Sequence, residues 1–252
     1  MRYDQISPIP PLSGATKGLI IAIVSTYFVN FVLSHLGVTI NGYQINDIFG
    51  LVPGRILQDG WVWQFVTYLF LHGPPFHLLL NMLILWYFGA EIEMRLGRNQ
   101  FLLFFFLCGI GAGLFNFVIN TAFAQATLGV PIIGASGAIY GLLVAYAYYF
   151  ADRYFLVMFL FPMKAKYFVM LLAGIELVMG VDSNPGVSNV AHFAHLGGML
   201  VAFIYLYVTQ RPKGGKGKTR QDRERDKLRR QFTLIVNPDS EKEDGSKGPY
   251  WN

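Results

Sequence analysis

The sequence predicts an all-α membrane protein built as a bundle of six transmembrane helices. Three observations carry this: an apolar composition, six apolar runs at or near bilayer length, and a one-sided distribution of positive charge. Of 252 residues, 54% are hydrophobic and 14% charged, with a mean hydropathy of +0.42. An ordinary soluble domain carries roughly 25% charged residues, so a polytopic membrane protein is the natural class.

Taken in order, residues 1–16 contain Pro8, Pro10 and Pro11 and no apolar core. They read as a cytoplasmic segment rather than a cleavable signal, which leaves the first apolar run, 19–36, as a retained span. A long stretch from 37 to 76 follows, rich in aromatics (Phe49, Trp61, Trp63, Phe65) that suit the membrane interface. The second run covers 78–89 and the third 101–123. Cys108, the sole cysteine, lies in the third among Phe and Leu, so no intrachain disulfide is possible. Gly129, Pro131 and Gly134 make 127–135 a non-helical segment, tolerated at membrane depth only against protein or a water-filled cavity. The fourth run, 136–150, is short because it begins inside the bilayer, at a serine. The fifth covers 167–180. A short loop, 181–190, with Asn184-Pro185-Gly186, leads to the sixth, 191–209.

Charge sets the orientation. With six spans and the N-terminus inside, Arg2, Lys17, Arg95, Arg98, Arg153, Lys164, Lys166 and the twelve Lys/Arg after Gln210 all fall on the inner side, and only Arg55 falls outside. Five or seven spans would scatter them over both faces. The membrane domain is therefore expected over 17–210, with both termini cytoplasmic. Residues 211–252 form a basic, partly disordered cytoplasmic tail, either simply solvated or in contact with anionic lipid. Interleaved Asp222, Glu224 and Asp226 weaken a nucleic-acid reading, and no recognition motif is visible. The histidines are His35, His72, His77, His192 and His195, and no carboxylate shares the spacing of a metal-binding helix, so no metal or other cofactor is expected.

Two clusters place chemistry where lipid should be: Gly134-Ala135-Ser136-Gly137 opens the fourth run, and Ala194-His195-Leu196-Gly197-Gly198 lies near the start of the sixth. Ionisable groups in hydrocarbon are costly enough to mark a pathway or a reaction site, and serine with histidine makes an activated nucleophile. Counting at 1.5 Å per residue, Ser136 is sixteen residues before Asp152, His195 sixteen before Arg211 and His77 sixteen before Glu93. All three then sit about 24 Å from the inner edge.

A serine at the first turn of a helix lies beside unpaired N–H groups and the positive end of the helix dipole, where an oxyanion is stabilised. Alone, Ser136 is as easily an N-cap with packing glycines on either side. His195 weighs against that. The small pairs Ala194/Gly198 and Gly137/Gly141 let two helices approach closely enough for a side-chain hydrogen bond. Histidine is the usual base for a serine. His192 is the rival base, nearer the outer surface and without a glycine at the matching offset. No Asp or Glu occurs in the fourth or sixth run, so a Ser-His dyad is expected. Tyr140, one turn below Ser136 on the same face, either packs on the imidazole or is core. His77 and Asn81 share a helical face at i, i+4. They are either an interhelical hydrogen-bonding pair or, at the depth of the serine, oxyanion donors.

These residues resemble those of the rhomboid intramembrane serine proteases. The resemblance rests on His77-xxx-Asn81, Gly134-x-Ser136-Gly137 with Tyr140 and Gly141, Ala194-His195-xx-Gly198, and Glu93-Met94-Arg95-Leu96-Gly97, in the right order across about residues 17–210. It implies a six-helix bundle with Ser136 as nucleophile, His195 as base and acid, and His77 and Asn81 with the Ser136 amide as oxyanion donors. Tyr140 would support the imidazole, and Glu93 and Arg95 would make polar contacts near the inner face. The implied partners are transmembrane protein substrates, cut near the outer side at small residues without a cofactor, and the lipid bilayer. The 181–190 loop would cap the site. Where many bacterial members carry Trp-Arg in the first outer loop, this chain has Trp63-Gln64, a difference that bears on a loop contact and not on the chemistry. The compact form points to a bacterial cytoplasmic membrane.

Two other classes compete. A catalytically inactive rhomboid-like protein that binds membrane clients would be favoured by loss of Ser136 or His195, and both are present. A transporter using His77, Asn81 and His195 as a polar pathway should show internal repeats, and none is convincing.

Overall fold

The computed structural model describes residues 10–12, 14–123, 125–157, 161–181, 187–210 and 224. The chain divides into a unit at Met1–Thr209 and a second at Gln210–Asn252, of which only Gln210 and Glu224 are described. The expected tail therefore lies outside the described residues, as does most of the 1–16 segment.

Helices cover every apolar run. They are α1 (Gly14–His35), α5 (Pro75–Ile84) continuing through a π turn at Leu85–Gly89 into α6 (Ala90–Leu96), α7 (Arg98–Phe123), α8 (Ser136–Tyr149), α9 (Ala165–Val181) and α10 (Val187–Thr209). Short helices α2 (Ile45–Phe49), α3 (Pro53–Asp59) and α4 (Gln64–Thr67) fold the stretch between α1 and α5. Among the described residues four helical stretches, Gly14–His35, Pro75–Leu96, Arg98–Phe123 and Ala191–Thr209, are long and apolar enough to cross a bilayer. At 14 and 17 residues, α8 and α9 are shorter than the ~20 residues that a full crossing takes.

The second apolar run is longer than its hydrophobic core suggested. Pro75 starts it at a position that needs no N–H partner, and the helix continues into Glu91, Glu93 and Arg95. The π turn lies where Gly89 meets its neighbours: a Cβ there would stand 3.0 Å from Leu85 Cδ1 and 3.6 Å from both Leu142 and Phe101. The polar residues at this end are all used. Glu91 pairs with Arg153, and the Arg95 guanidinium lies 5.2 Å from the Tyr149 ring centroid. Glu93 accepts the N–H of Ala15 at 2.6 Å, and both the N–H and the hydroxyl of Thr16 at 2.8 Å. That carboxylate satisfies donors that a helix N-terminus leaves unpaired, and α1 accordingly begins at Gly14, five residues before the apolar run.

Between α8 and α9 the chain forms an antiparallel hairpin, β1 (Tyr154–Val157) against β2 (Phe161–Lys164), which the sequence reading did not anticipate. Asp152 accepts from Lys166 at 2.8 Å and from Lys164 at 3.1 Å, and these partners, Lys166 foremost, hold its carboxyl below the usual carboxylate range.

At the centre, α7, α8 and α10 bury Phe101, Phe104, Cys108 and Ala112 against Ala138, Leu142, Ala145, Ala202 and Leu206. By contrast, α9 buries only Ala165, Val169, Glu176 and Gly180, while Met170, Val178 and Val181 are exposed. An apolar outer face of this kind suits a lipid surrounding.

Candidate active site

Ser136 is delivered by a strap of backbone rather than by a helix. Residues 128–135 are stitched to the folded stretch before α5. Leu51 and Ile132 exchange two backbone hydrogen bonds at 2.9 Å, Gly54 N–H donates to Leu128 O at 2.8 Å, and Gly134 N–H donates to Tyr68 O at 2.9 Å. Tyr68 in turn donates its hydroxyl to Gly109 O of α7 at 2.6 Å. Gly134 takes φ +126°, and a Cβ there would also press on His77 Cε1 at 3.1 Å. Glycine is needed on both counts. The chain then turns into α8 with Ser136 as its first residue.

The stretch before α5 is itself pinned by Gln64, the residue standing where Arg was noted in similar sequences. Fully buried, Gln64 accepts the N–H of Val52 at 2.9 Å and donates to Asp47 O at 2.8 Å and Ile48 O at 3.2 Å. Trp63 adds a bond from its indole N–H to Ile48 O at 2.9 Å.

The glycines set how closely α8 meets its neighbours. A Cβ at Gly137 would overlap Ala112 Cβ of α7, and one at Gly141 would stand 2.7 Å from Cys108. A Cβ at Gly198 would overlap the carbonyl of Gly137. With backbones this close, short side chains one turn apart can reach across. Ser136 Oγ lies 2.8 Å from His195 Nε2, a hydrogen bond between α8 and α10. Tyr140 stacks on the His195 ring at 4.2 Å with planes 6° apart.

A third group joins them that the sequence reading missed. Glu176 of α9 is buried, and its Oε2 lies 2.6 Å from His192 Nδ1 and 3.0 Å from His195 Nδ1. The Tyr140 hydroxyl donates to its Oε1. The sequence points to a dyad because the fourth and sixth runs hold no carboxylate, whereas this one comes from the fifth. Its signal was present: a lone acid within an apolar run. His192, weighed as a rival base, points its Nδ1 at this carboxylate. Glu176, His192 and His195 each bring one possible ligand atom within 4.8 Å of the others, so they can be arranged around a metal ion. Spacing along one helix could not reveal a set drawn from two.

His77 and Asn81 stand one turn apart on α5, and His77 lies beside the turn that leads into Ser136. A Cβ at Gly134 would stand 3.1 Å from His77 Cε1 and 3.8 Å from Ser136 Oγ. Asn81 is buried and its Nδ2 makes no hydrogen bond among the described residues. His72, given no role from sequence, is buried alongside with ring centroids 5.3 Å from His77, and the N–H of Ala135 reaches its Nε2 at 3.5 Å. Ser136, His195, Tyr140, His77, Gly134, Gly137 and Gly198 thus converge at one end of α8, with Asn81 one turn further along α5. Asn184-Pro185-Gly186, expected over the site, lies outside the described residues.

Residues 59–212 match the Rhomboid domain family. Rhomboid protease GluP of Bacillus subtilis is 30% identical over 184 residues, 70% of this chain and 32% of that protein. RHOMBOID-like protein 4 of Arabidopsis thaliana is 28% identical over 159 residues, 63% and 37% of the two chains. Rhomboid protein 1, mitochondrial, of Saccharomyces cerevisiae is 31% identical over 154 residues, 60% and 43%. The chain thus aligns with about a third to under half the length of these relatives.

Proposed function

Because this chain belongs to the rhomboid family and is a helical integral membrane protein, we propose that it is an intramembrane serine endopeptidase acting on transmembrane segments of other proteins. The observation that carries the reading is the 2.8 Å contact between Ser136 Oγ and His195 Nε2 at the start of a helix. Nε2 takes the hydroxyl proton as Oγ attacks the scissile carbonyl carbon, giving a tetrahedral oxyanion. Facing it are the N–H groups of the first turn of α8 and the side chains of His77 and Asn81. His195 then passes the proton to the leaving amine as the C–N bond breaks. Water, activated by the same imidazole, hydrolyses the Ser136 ester and restores the hydroxyl.

In this reading α8 and α9 complete six spans, with both termini cytoplasmic and the site toward the outer side of a bacterial cytoplasmic membrane. Residues 17–210 form the membrane domain and 211–252 a cytoplasmic tail. The short α8 fits, since it starts within the bilayer at the nucleophile and its preceding strap is hydrogen-bonded to protein backbone and ends in the buried Gly134 and Ala135.

A fluorophosphonate probe tests the chemistry directly. The wild-type protein in liposomes should be labelled and Ser136→Ala should not; an unlabelled wild type, or equal labelling of both, would remove the assignment. A smaller effect is expected at the oxyanion. Asn81→Ala should lower kcat for a transmembrane substrate by no more than about 10²-fold with KM little changed, because other donors remain. An Asn81→Ala protein as fast as wild type would take that amide out of the mechanism.

A further inference from the structure

We infer that Glu176 is a positioning residue for the reaction, holding the His195 imidazole in the tautomer whose Nε2 can accept the serine proton. The inference rests on the protease reading above and deepens it from a pair to a relay of Ser136, His195 and Glu176. Three observations converge. Nε2 of His195 already faces Ser136 Oγ at 2.8 Å, so Nδ1 must carry the ring's proton if Nε2 is to act as base. Nδ1 is buried, makes no aligned hydrogen bond among the described residues, and has Glu176 Oε2 at 3.0 Å. A bent contact of this length is what a resting site shows before substrate tightens it. Finally, Tyr140 touches both members: its ring lies flat on the imidazole and its hydroxyl donates to Glu176 Oε1. One side chain therefore fixes base and carboxylate relative to each other.

The groups facing Glu176 are Tyr140 from α8 and His192 and His195 from α10. Lys164 of β2, the strand leading into α9, is committed to Asp152. Among the described residues every hydrogen-bonding neighbour of the carboxylate is thus a donor, and the one that changes charge during turnover is His195. When His195 becomes imidazolium, an anion within 3.0 Å in a site of low polarity stabilises it, whereas a neutral amide does so far less. His192 holds the same oxygen at 2.6 Å and keeps the carboxylate oriented. The sequence gives no hint of this arrangement in the two runs that supply the nucleophile and the base; it exists because α9 packs against both.

The test uses the full chain in liposomes. Glu176→Gln should lower both fluorophosphonate labelling and kcat by at least about 10²-fold, with KM for a transmembrane substrate within about threefold of wild type. In wild-type protein with 15N-labelled histidine, His195 should show a protonated Nδ1 and a bare Nε2, a measurement that needs no variant to fold. Unchanged kcat in Glu176→Gln, or an Nε2-protonated His195 in wild type, would overturn the inference while leaving wild-type labelling, and hence the protease reading, in place. Loss of wild-type labelling on chelation, restored by Zn²⁺, would also overturn it, since the three groups would then be metal ligands.

Discussion

Ser136→Ala and His195→Ala are each expected to abolish cleavage of a transmembrane substrate in liposomes, a loss on the order of 10⁴- to 10⁶-fold in kcat. Each removes one end of the single hydrogen bond that joins nucleophile to base. The losses should not multiply. Once either partner is gone the other has nothing to activate, so the double variant should be about as slow as each single one. The fold of Ser136→Ala should survive, because Ser136 is the first residue of α8 and among the described residues its hydroxyl bonds to His195 alone, while the tight helix contacts are made by neighbouring glycines. Turnover and thermal unfolding measured on the same preparations separate the two effects. Near wild-type turnover in both single variants would end the protease assignment, whereas loss of the folded state would show that the pair holds the bundle together.

Gly198→Val is expected to be nearly as damaging, by a different route. A side chain at 198 meets the Gly137 carbonyl, and backbone cannot swing aside as a flexible side chain does. The helices must part. Gly137 follows Ser136 directly, and His195 lies one turn before Gly198, so a separation of even 1 Å falls on the reacting pair. Misplacement on that scale costs about 10²-fold in rate, and overpacking a tight contact adds typically 1–3 kcal/mol of destabilisation. Gly174→Ala is the matched control. It adds a single methyl group to a helix packed beside the same site, where nothing lies within 4 Å of the new Cβ, so activity and stability should stay at wild-type level. If Gly198→Val retained full activity, the close crossing of α8 and α10 would not be what sets the distance between serine and imidazole.

Much of this geometry was readable before any coordinates. Apolar runs located the helices because hydrophobicity along one segment is a local property. Helical period and the small residues around them allow Ser136, His195 and Tyr140 to meet, and in the structure a hydrogen bond and a ring stack bring the three together. What escaped depends on contacts between segments far apart in the chain. The start of α1 at Gly14 follows from Glu93, and Glu176 matters because α9 lies against both other members of the site. The β1–β2 hairpin was hidden for another reason: its aromatic and aliphatic residues lie beside apolar helical runs, and periodicity cannot divide so short a segment.

The bond from Glu93 to the beginning of α1 also has a consequence in time. Seventy-seven residues separate Thr16 from the carboxylate that receives its N–H and its hydroxyl. At ribosomal speeds of about 5–20 residues per second, Thr16 is synthesised roughly 4–15 s before Glu93. During that interval the helix's leading donors depend on water and lipid headgroups. The start of the first helix therefore gains its cap only after the second apolar run has been made, so the N-terminal edge of the bundle is completed by a residue from the following run.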